Sequence, residues 1–515
     1  MTNIGTKIAK GAIWMVLFKL TERSLGLIST LILVRLLIPE DFGLLAMAMS
    51  IIAALELLGA FGFDMALIQN QNADDNHYNT AWTFNVIFAV SSAVILVIIA
   101  IPAAIFYHEP RLEAVIYFLA LGSFFKGFEN IGVVAFRKEL EFNKEFKFLL
   151  GKKLASFATT VPLAFILKSY WALVFGILAG NIFSVMLSYW VHEYRPRLCL
   201  IKARELFHFS KWLLFNNILT FLILHSADFI IGRIAGARQL GLYSISFEIS
   251  NLPTTELIAP INRAVFPGYS RVASDLDALR KNFLNVIALI TLFALPAGLG
   301  IAVTSEFIVK VALGEKWLDT IPLIQTLAFY GVITALQTNI VYIFLALGKP
   351  RIVTALSAMY AIILLPVLIW LCRDYGAIGA AWAYLGVAAA FLPVFFMLTF
   401  HRLKINILDF IKTVWRSVFA ALSMFLIVKV LLPIMENISI LVGDFRILFT
   451  DAGLLVAAVS IGVIAYVTLL IMLWLLSSKP EGAEWSVIEK ALPRLPRFMR
   501  FKFLMPATLN QQEIN

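Results

Sequence analysis

Residues 33–44 read Leu33-Val34-Arg35-Leu36-Leu37-Ile38-Pro39-Glu40-Asp41-Phe42-Gly43-Leu44. Residues 231–242 return much of the same framework as Ile231-Gly232-Arg233-Ile234-Ala235-Gly236-Ala237-Arg238-Gln239-Leu240-Gly241-Leu242. A shift of 198 (233 − 35) sets Arg35 on Arg233, Leu36 on Ile234, Gly43 on Gly241 and Leu44 on Leu242, and the same shift sets Trp14 on Trp212. Further along, Tyr170 and Ala172 match Tyr375 and Ala377 at a shift of 205 (375 − 170). Chance matches among apolar residues are common in biased sequence. Tryptophan, arginine and glycine in one register are harder to obtain by accident. The pattern predicts two copies of one unit.

What the unit is made of follows from composition. Apolar residues make up 61% of the 515 and charged residues 14%, against roughly 45–50% and about 25% in soluble domains. A soluble chain so poor in charge could not cover its own surface. Apolar runs of about 20 residues recur along the whole length, as crossing about 30 Å of hydrocarbon requires. They predict spans near 12–37, 42–66, 80–106, 113–135, 148–167, 170–191, 211–233, 241–266, 283–304, 321–347, 352–372, 377–400, 414–434 and 452–476. The eighth is the least hydrophobic and is interrupted by Pro253 and Pro260.

The expected fold is therefore an all-α polytopic membrane protein of about fourteen transmembrane helices. Residues 1–193 form an N-lobe of six spans, and residues 211–404 form a C-lobe of six. Residues 194–210 are expected as an interfacial linker helix, because Leu198, Leu200, Ile201, Leu206 and Phe207 alternate with Arg195, Arg197, Lys202 and Arg204. Residues 405–478 add two spans outside the repeat, and 479–515 are a basic tail. Six is an even number, so the two copies share one orientation. Parallel repeats of this kind are a transporter architecture.

Net charge is +10, but the Lys and Arg are dispersed among short connections. Stretches 137–153, 195–211 and 402–416 and the tail from Lys479 onward hold half of them. That bias places both termini in the cytoplasm and favours contact with anionic lipid. Nucleic-acid binding is not expected. The tail's Phe498, Met499, Phe501 and Phe503 suit a membrane surface better than a base stack. Cys199 and Cys372 fall on opposite sides of the membrane in this topology, so no disulfide is expected. The first apolar stretch carries charges at its centre and has no small-residue cleavage site, so it reads as a retained span.

Ionisable groups in hydrocarbon are costly and normally face a cavity or each other. Span 1 sets Lys19, Glu22 and Arg23 on one helical face, and span 2 does the same with Glu56 and Asp64. Span 4 carries Lys126, Glu129 and Asn130. Span 7 carries Asn217, Thr220 and Asp228. Span 8 aligns Ser244, Glu248, Asn251, Thr255 and Asn262 beside Arg263. The alternative for Lys19 and Lys126 is neutralisation by Glu22 and Glu129 three residues on. The histidines sit in connections, apart from His225 in span 7, and show no metal-ligand spacing. No metal or other cofactor is expected. The absence of a Walker A sequence excludes an ATP-driven pump within the chain.

The segment Leu33–Leu37 with Pro39–Leu44, its echo at Gly232–Ala235 with Leu240–Tyr243, and the turn Ala346-Leu347-Gly348-Lys349-Pro350-Arg351 together resemble a known family. It is the polysaccharide-type (Wzx-like, colanic-acid-exporter-like) flippases of the multidrug/oligosaccharidyl-lipid/polysaccharide transporter superfamily. The resemblance covers nearly the whole chain, and its motifs are structural. It implies two six-helix lobes plus two added helices, with spans 1, 2, 4, 7 and 8 around a central cavity. It implies alternating access on an undecaprenyl-diphosphate-linked oligosaccharide, and so a carrier rather than an enzyme.

A diphosphate needs cations, which makes Lys19, Arg23, Lys126 and Arg263 the head-group candidates, with Asn217 and Asn251 beside them. Glu56, Asp64, Asp228 and Glu248 are candidates for coupling to a proton or sodium gradient, since a buried acid can carry a proton when the cavity changes sides. A polymerase or export machinery is an expected partner that leaves no readable mark. A drug/cation antiporter of the same superfamily is the nearest alternative, and the cations on span 1 argue against it. A lipid II flippase is another. A membrane glycosyltransferase or polymerase would present a long extracytoplasmic loop, whereas the long loops here are basic and cytoplasmic. Asp275-Leu276-Asp277 resembles a sugar-nucleotide acidic pair but sits in a short loop, so it reads as a solvated turn.

Overall fold

The computed structural model describes residues 2–59, 63–70, 72–441 and 450–478, together with 480, 482, 484 and 485; within its helices the side chains of 2–10, 12, 58–59, 64, 204–217, 263 and 437–441 lie outside that description. Every regular element among these residues is helical. The order begins α1 (Thr2–Leu36), α2 (Pro39–Gly59), α3 (Phe63–Gln69), α4 (Asp75–Tyr107), α5 (Arg111–Lys126), α6 (Val134–Lys138), α7 (Phe142–Leu167), α8 (Trp171–Val191) and α9 (Ala203–Ser250). It continues with α10 (Ala259–Arg271), α11 (Leu276–Ile308), α12 (Ile321–Ala346), α13 (Pro350–Leu403), α14 (Ile407–Leu441) and α15 (Asp451–Leu476).

Nine of the described helices are long and apolar enough to cross a membrane, or ten if the bent pair Arg111–Lys126 and Ile131–Lys138 is one span. The shortfall from fourteen has a physical origin. Lys19, Glu22 and Arg23 interrupt α1. Conversely, α13 is counted once although its 54 residues would run about 80 Å at 1.5 Å per residue, far beyond one hydrocarbon thickness. Gly376 breaks it at φ 63°, a left-handed conformation that glycine adopts without penalty. Gly236, at φ 81°, breaks α9 in the same way.

The chain forms two compact units, Met1–Ser244 with Cys372–Ala377, and Ile245–Leu371 with Ile378–Asn515. In the first, residues 211–244 pack with spans that precede them. Gly43 and Gly241 carry this contact. A Cβ on Gly43 would strike the Ala237 carbonyl, and a Cβ on Gly241 would strike that of Pro39. Pro39 and Ala237 are themselves related by the 198-residue shift. Glu40 and its equivalent Arg238 pair at 3.2 Å. Each residue thus meets the repeat-equivalent of its partner's counterpart, the signature of a two-fold, isologous contact.

At this end of the unit lie the α1–α2 turn, the α4–α5 connection and the α7–α8 connection. Asp41 ties two of them: its carboxylate accepts the N–H of Ile38 at 3.2 Å and that of Tyr170 at 3.3 Å. His108 closes α4 in the left-handed region, and Lys168 closes α7 likewise.

The opposite end departs from expectation. The interfacial helix expected at 194–210 is not there over its first part. Residues 192–200 are not helical, and helix begins at Ala203. The reason is local competition. Asn79 accepts the Arg197 N–H at 2.6 Å, Thr83 accepts that of Cys199 at 2.9 Å, and Thr80 accepts that of Lys202 at 3.3 Å. Pro196 lacks an N–H to offer a helix. The amphipathic pattern is real, but side chains of α4 claim the backbone donors that a helix would need.

In the second unit, α11, α14 and α15 share two apolar clusters, one around Leu292, Met424 and Tyr466 and the other around Phe307, Val428 and Leu454. Pro253 and Pro260 bracket a wide helical turn at Pro253–Ile258 between α9 and α10. Proline removes backbone donors there, and side-chain hydroxyls tie the turn to α12: Ser250 Oγ donates to Ile324 O at 3.1 Å and Thr254 Oγ1 to Gly331 O at 2.8 Å.

Candidate functional site

The first unit holds a cavity of about 520 Å³ bordered by α2, α4, α5 and α7. Its origin is the break after α5. The expected fourth span does not run straight from 113 to 135; α5 ends at Lys126 and the chain turns by 67° into Ile131–Lys138. Gly127 lies where a Cβ would strike Ala89 of α4, so α5 can come this close only with glycine. Asn130 then organises the turn. Its N–H donates to Ser188 Oγ at 2.9 Å, its amide donates to Tyr194 O at 2.6 Å, and its Oδ1 accepts the Gly132 N–H at 2.9 Å. It is fully buried, and these bonds satisfy it, as a buried amide requires.

Lys126 and Glu129 flank this break and reach the cavity from its rim. Lys126 Nζ meets Glu56 Oε1 at 2.8 Å. Its partner is therefore a carboxylate from α2, not Glu129 three residues on. Glu129 accepts Ser184 Oγ at 2.6 Å and faces Lys152 Nζ at 3.7 Å. Arg137, also on the cavity, is bound to Glu145 at 2.6 Å. Asn85, Ser92 and Ser123 add uncharged polar groups, and Ile52, Leu55, Phe63, Phe88 and Leu96 complete the wall. A mixed polar and apolar hollow carrying three cations is suited to an anion joined to neutral polar groups.

The sequence-expected residues divide as follows. Lys126 and Glu56 are brought together on the cavity. Lys19 is paired with Glu22 on its own helix at 2.8 Å, the neutralising alternative. Arg23 lies half-buried on α1, one residue beyond that pair. Asp228 meets His225 Nδ1 through Oδ2 at 3.0 Å, so the lone histidine of span 7 has a partner. Asn251 lines neither this cavity nor the apolar hollow of the second unit. It is buried, donates to Phe247 O at 3.0 Å and lies against Gly331 of α12. Asn262 likewise serves packing, bonded to Thr338 and Asn339 at 3.0 Å each. Glu248 is half-buried near the end of α9. Asp64, Asn217 and Arg263 lie outside the described side chains. Among the described residues no group of three or more His, Cys, Asp or Glu could hold a metal.

Arg137 and Lys152 were legible in the sequence only as topology-setting charges. Arg137 follows the bend in the chain, and the packing of α7 brings Lys152 to the cavity. The second unit contributes a different hollow, about 750 Å³, lined by Pro296, Gly300, Ile301, Val428, Val459, Val463 and other apolar side chains of α11, α14 and α15. Glu484, bonded to Arg416 at 2.8 Å, stands at its edge.

A multi-pass helical bundle with a charge-lined hollow and a two-fold internal crossing is the architecture of a membrane carrier. The chain belongs to the family described as polysaccharide biosynthesis protein, whose pattern matches residues 32–322, more than half of its length. It is 28% identical over 405 residues to an "Uncharacterized membrane protein in cps region" of Klebsiella pneumoniae, covering 77% of this chain and 83% of that one. It is 25% identical over 387 residues to the "Lipopolysaccharide biosynthesis protein WzxC" of Escherichia coli (strain K12), covering 74% and 79%. Its fold is similar to that of "Lipid II flippase MurJ, inward closed conformation", with a TM-score of 0.70 at 13% identity over 90% of this chain and 99% of that one.

Proposed function

We propose that this protein moves a lipid-linked oligosaccharide across a bacterial cytoplasmic membrane, as a carrier and not as an enzyme. The observation that carries the reading is the cavity at the α5 break, where Lys126, Lys152 and Arg137 face a hollow large enough for a head group, in a chain of the polysaccharide biosynthesis family. Cations in a membrane bundle are expensive unless they face a ligand or a carboxylate. The oligosaccharide brings hydroxyls for Asn85, Ser92 and Ser123, and the diphosphate brings charge for the lysines and the arginine. The apolar hollow of the second unit has the chemistry to hold part of a hydrocarbon chain.

The connections with most basic residues, including 137–153 and 195–211, lie at the end of the first unit opposite the Gly43–Gly241 crossing. The positive-inside rule therefore orients that end and both termini toward the cytoplasm. Spans 1–6 and 7–12 act as two rocking lobes, and spans 13 and 14 stand outside them. The driving ion, a proton or sodium, acts at Asp228 beside His225. Lys19 and Arg23 extend the path for the head group along α1. A polymerase or export machinery receives the product.

The experiment is translocation in proteoliposomes loaded with lipid-linked oligosaccharide. Native protein moves the lipid, and Lys126→Gln moves it roughly tenfold more slowly, the loss expected for a charged hydrogen bond to substrate. Lys19→Ala and Arg23→Ala extend the test to α1. Export of small organic cations by native protein, with no movement of any lipid-linked sugar, would replace this reading with the antiporter.

A further inference from the structure

The cations of the first-unit cavity are already neutralised by the protein itself. Lys126 is held by Glu56 at 2.8 Å, Lys152 faces Glu129 at 3.7 Å, and Arg137 is held by Glu145 at 2.6 Å. These acids come from three separate elements, so the matching is a property of the folded site. Glu145 is buried in its pair, but Glu56 and Glu129 both open onto the cavity. Glu56 is half exposed, with 53% of its side chain accessible, so it can leave Lys126 without moving a helix. An acid of this kind is unnecessary for anion binding and works against it.

We propose that Glu56 and Glu129 are specificity-determining carboxylates that occupy the lysines of the empty site, so that the cavity accepts a doubly charged diphosphate linkage and rejects a singly charged phosphodiester. The proposal rests on the flippase reading. An anion entering the cavity must take a lysine from a carboxylate. A phosphodiester carries one charge and exchanges like for like, gaining little. A diphosphate diester carries two charges on adjoining phosphates and engages both lysines in one binding event. The bilayer around the protein is filled with singly charged phosphodiester head groups. A cationic hollow without such acids would fill with them.

The test uses two probes that share one polyprenol and one sugar, joined in one probe by a diphosphate and in the other by a single phosphate. Binding of each to full-length protein in neutral detergent micelles is measured for the native chain, Glu56→Gln and Glu129→Gln, with thermal unfolding of each variant measured alongside. Native protein is expected to prefer the diphosphate probe. Each Gln variant is expected to bind the single-phosphate probe more tightly, by roughly fivefold if the lost competitor is worth what an exposed ion pair is, which narrows the preference. Glu129 also holds Ser184, so Glu56→Gln alone decides the matter if the other variant unfolds. An unchanged preference in Glu56→Gln, or weaker binding of both probes, overturns the proposal and leaves the flippase reading standing. Native protein that binds neither probe overturns that reading and this proposal with it.

Discussion

Gly43 and Gly241, brought into register by a 198-residue shift, cross so closely that a Cβ built on Gly43 would stand 2.9 Å from Gly241 N and one built on Gly241 would stand 3.0 Å from Gly43 N. Neither position has room for a side chain, because each also faces a backbone carbonyl of the other repeat. Backbone cannot rotate aside as a side-chain tip can. Gly43→Ala and Gly241→Ala are each expected to destabilise by about 1–3 kcal/mol, the range for overpacking. Because both act on one crossing, their effects are expected not to add. Thermal unfolding of the two single variants and the double variant in detergent checks this. Additive losses would mean that the residues do not share a contact.

Glu40 and Arg238 are the ion pair of the same crossing, at 3.2 Å with the arginine half exposed. An exposed pair contributes about 0.2–1 kcal/mol, so Glu40→Arg should cost little by itself beyond the repulsion it introduces. The exchange Glu40→Arg with Arg238→Glu is expected to restore stability, because the two-fold arrangement presents the same geometry in both directions. Unfolding midpoints of the single and exchanged variants decide it.

Arg416 and Glu484 are 8% and 4% accessible and meet at 2.8 Å, joining α14 to the chain after α15. Trp474 supports the junction, donating from Nε1 to Pro480 O at 3.1 Å and stacking on Trp485 at 6.2 Å. Glu484→Ala leaves a buried guanidinium without its carboxylate and is expected to cost about 3–5 kcal/mol. Removing both charges, as Arg416→Met with Glu484→Leu, is expected to cost much less. Denaturant or thermal unfolding of the variants distinguishes the two outcomes.

His192 anchors the non-helical strap that follows α8. Its Nδ1 accepts the Tyr194 N–H at 3.1 Å, and Gly132 packs against the ring. Burial, which disfavours the charged imidazole, lowers its pKa from the usual 6.5. A histidine depressed in the folded state adds stability above its unfolded pKa and loses it as pH falls through that value and then through the folded one. Acidification below about 6.5 is expected to loosen residues 192–200. Hydrogen exchange of the strap amides between pH 7.5 and pH 5 (roughly the window in which histidine titrates), corrected for intrinsic rates, should show protection falling in the native chain and less change in His192→Gln.

Asn130→Ala removes the two side-chain hydrogen bonds at the break that shapes the cavity and leaves the buried Gly132 N–H without its acceptor, while the Tyr194 carbonyl keeps Arg195 Nη1 at 2.9 Å. About 1–3 kcal/mol is expected for the orphaned group. The variant should also move the lipid-linked oligosaccharide more slowly, since Lys126 and Glu129 flank the same turn. Melting and transport measured together test both claims. A stable variant with reduced transport would still place the turn in the site's architecture.

Much of this protein was legible in its sequence because the signals are local. An apolar run of the right length predicts a span wherever it stands, and the repeat of Arg35 and Gly43 at Arg233 and Gly241 predicts two copies of one unit. The i,i+3 pairing of Lys19 with Glu22 is local too, and the structure contains it. Pairings across elements were out of reach. Lys126 was read against Glu129, its chain neighbour, whereas Glu56, 70 residues earlier, is the partner. Residues 194–210 were read as a helix from an amphipathic pattern that Asn79, Thr80 and Thr83 override over the first part.

By itself the sequence determined that the chain is a helical, membrane-spanning, internally repeated protein, because hydropathy, charge bias and glycine position act over one or two helical turns; the flippase type followed from its resemblance to a family. The tertiary structure alone decided where the charges meet. The bend at Gly127–Asn130 turns the end of α5 into a cavity rim, and that bend depends on Ser188 and Tyr194 from a distant part of the chain. Which lysine faces which carboxylate is set by helix packing, and packing is a property of the assembled bundle rather than of any one segment.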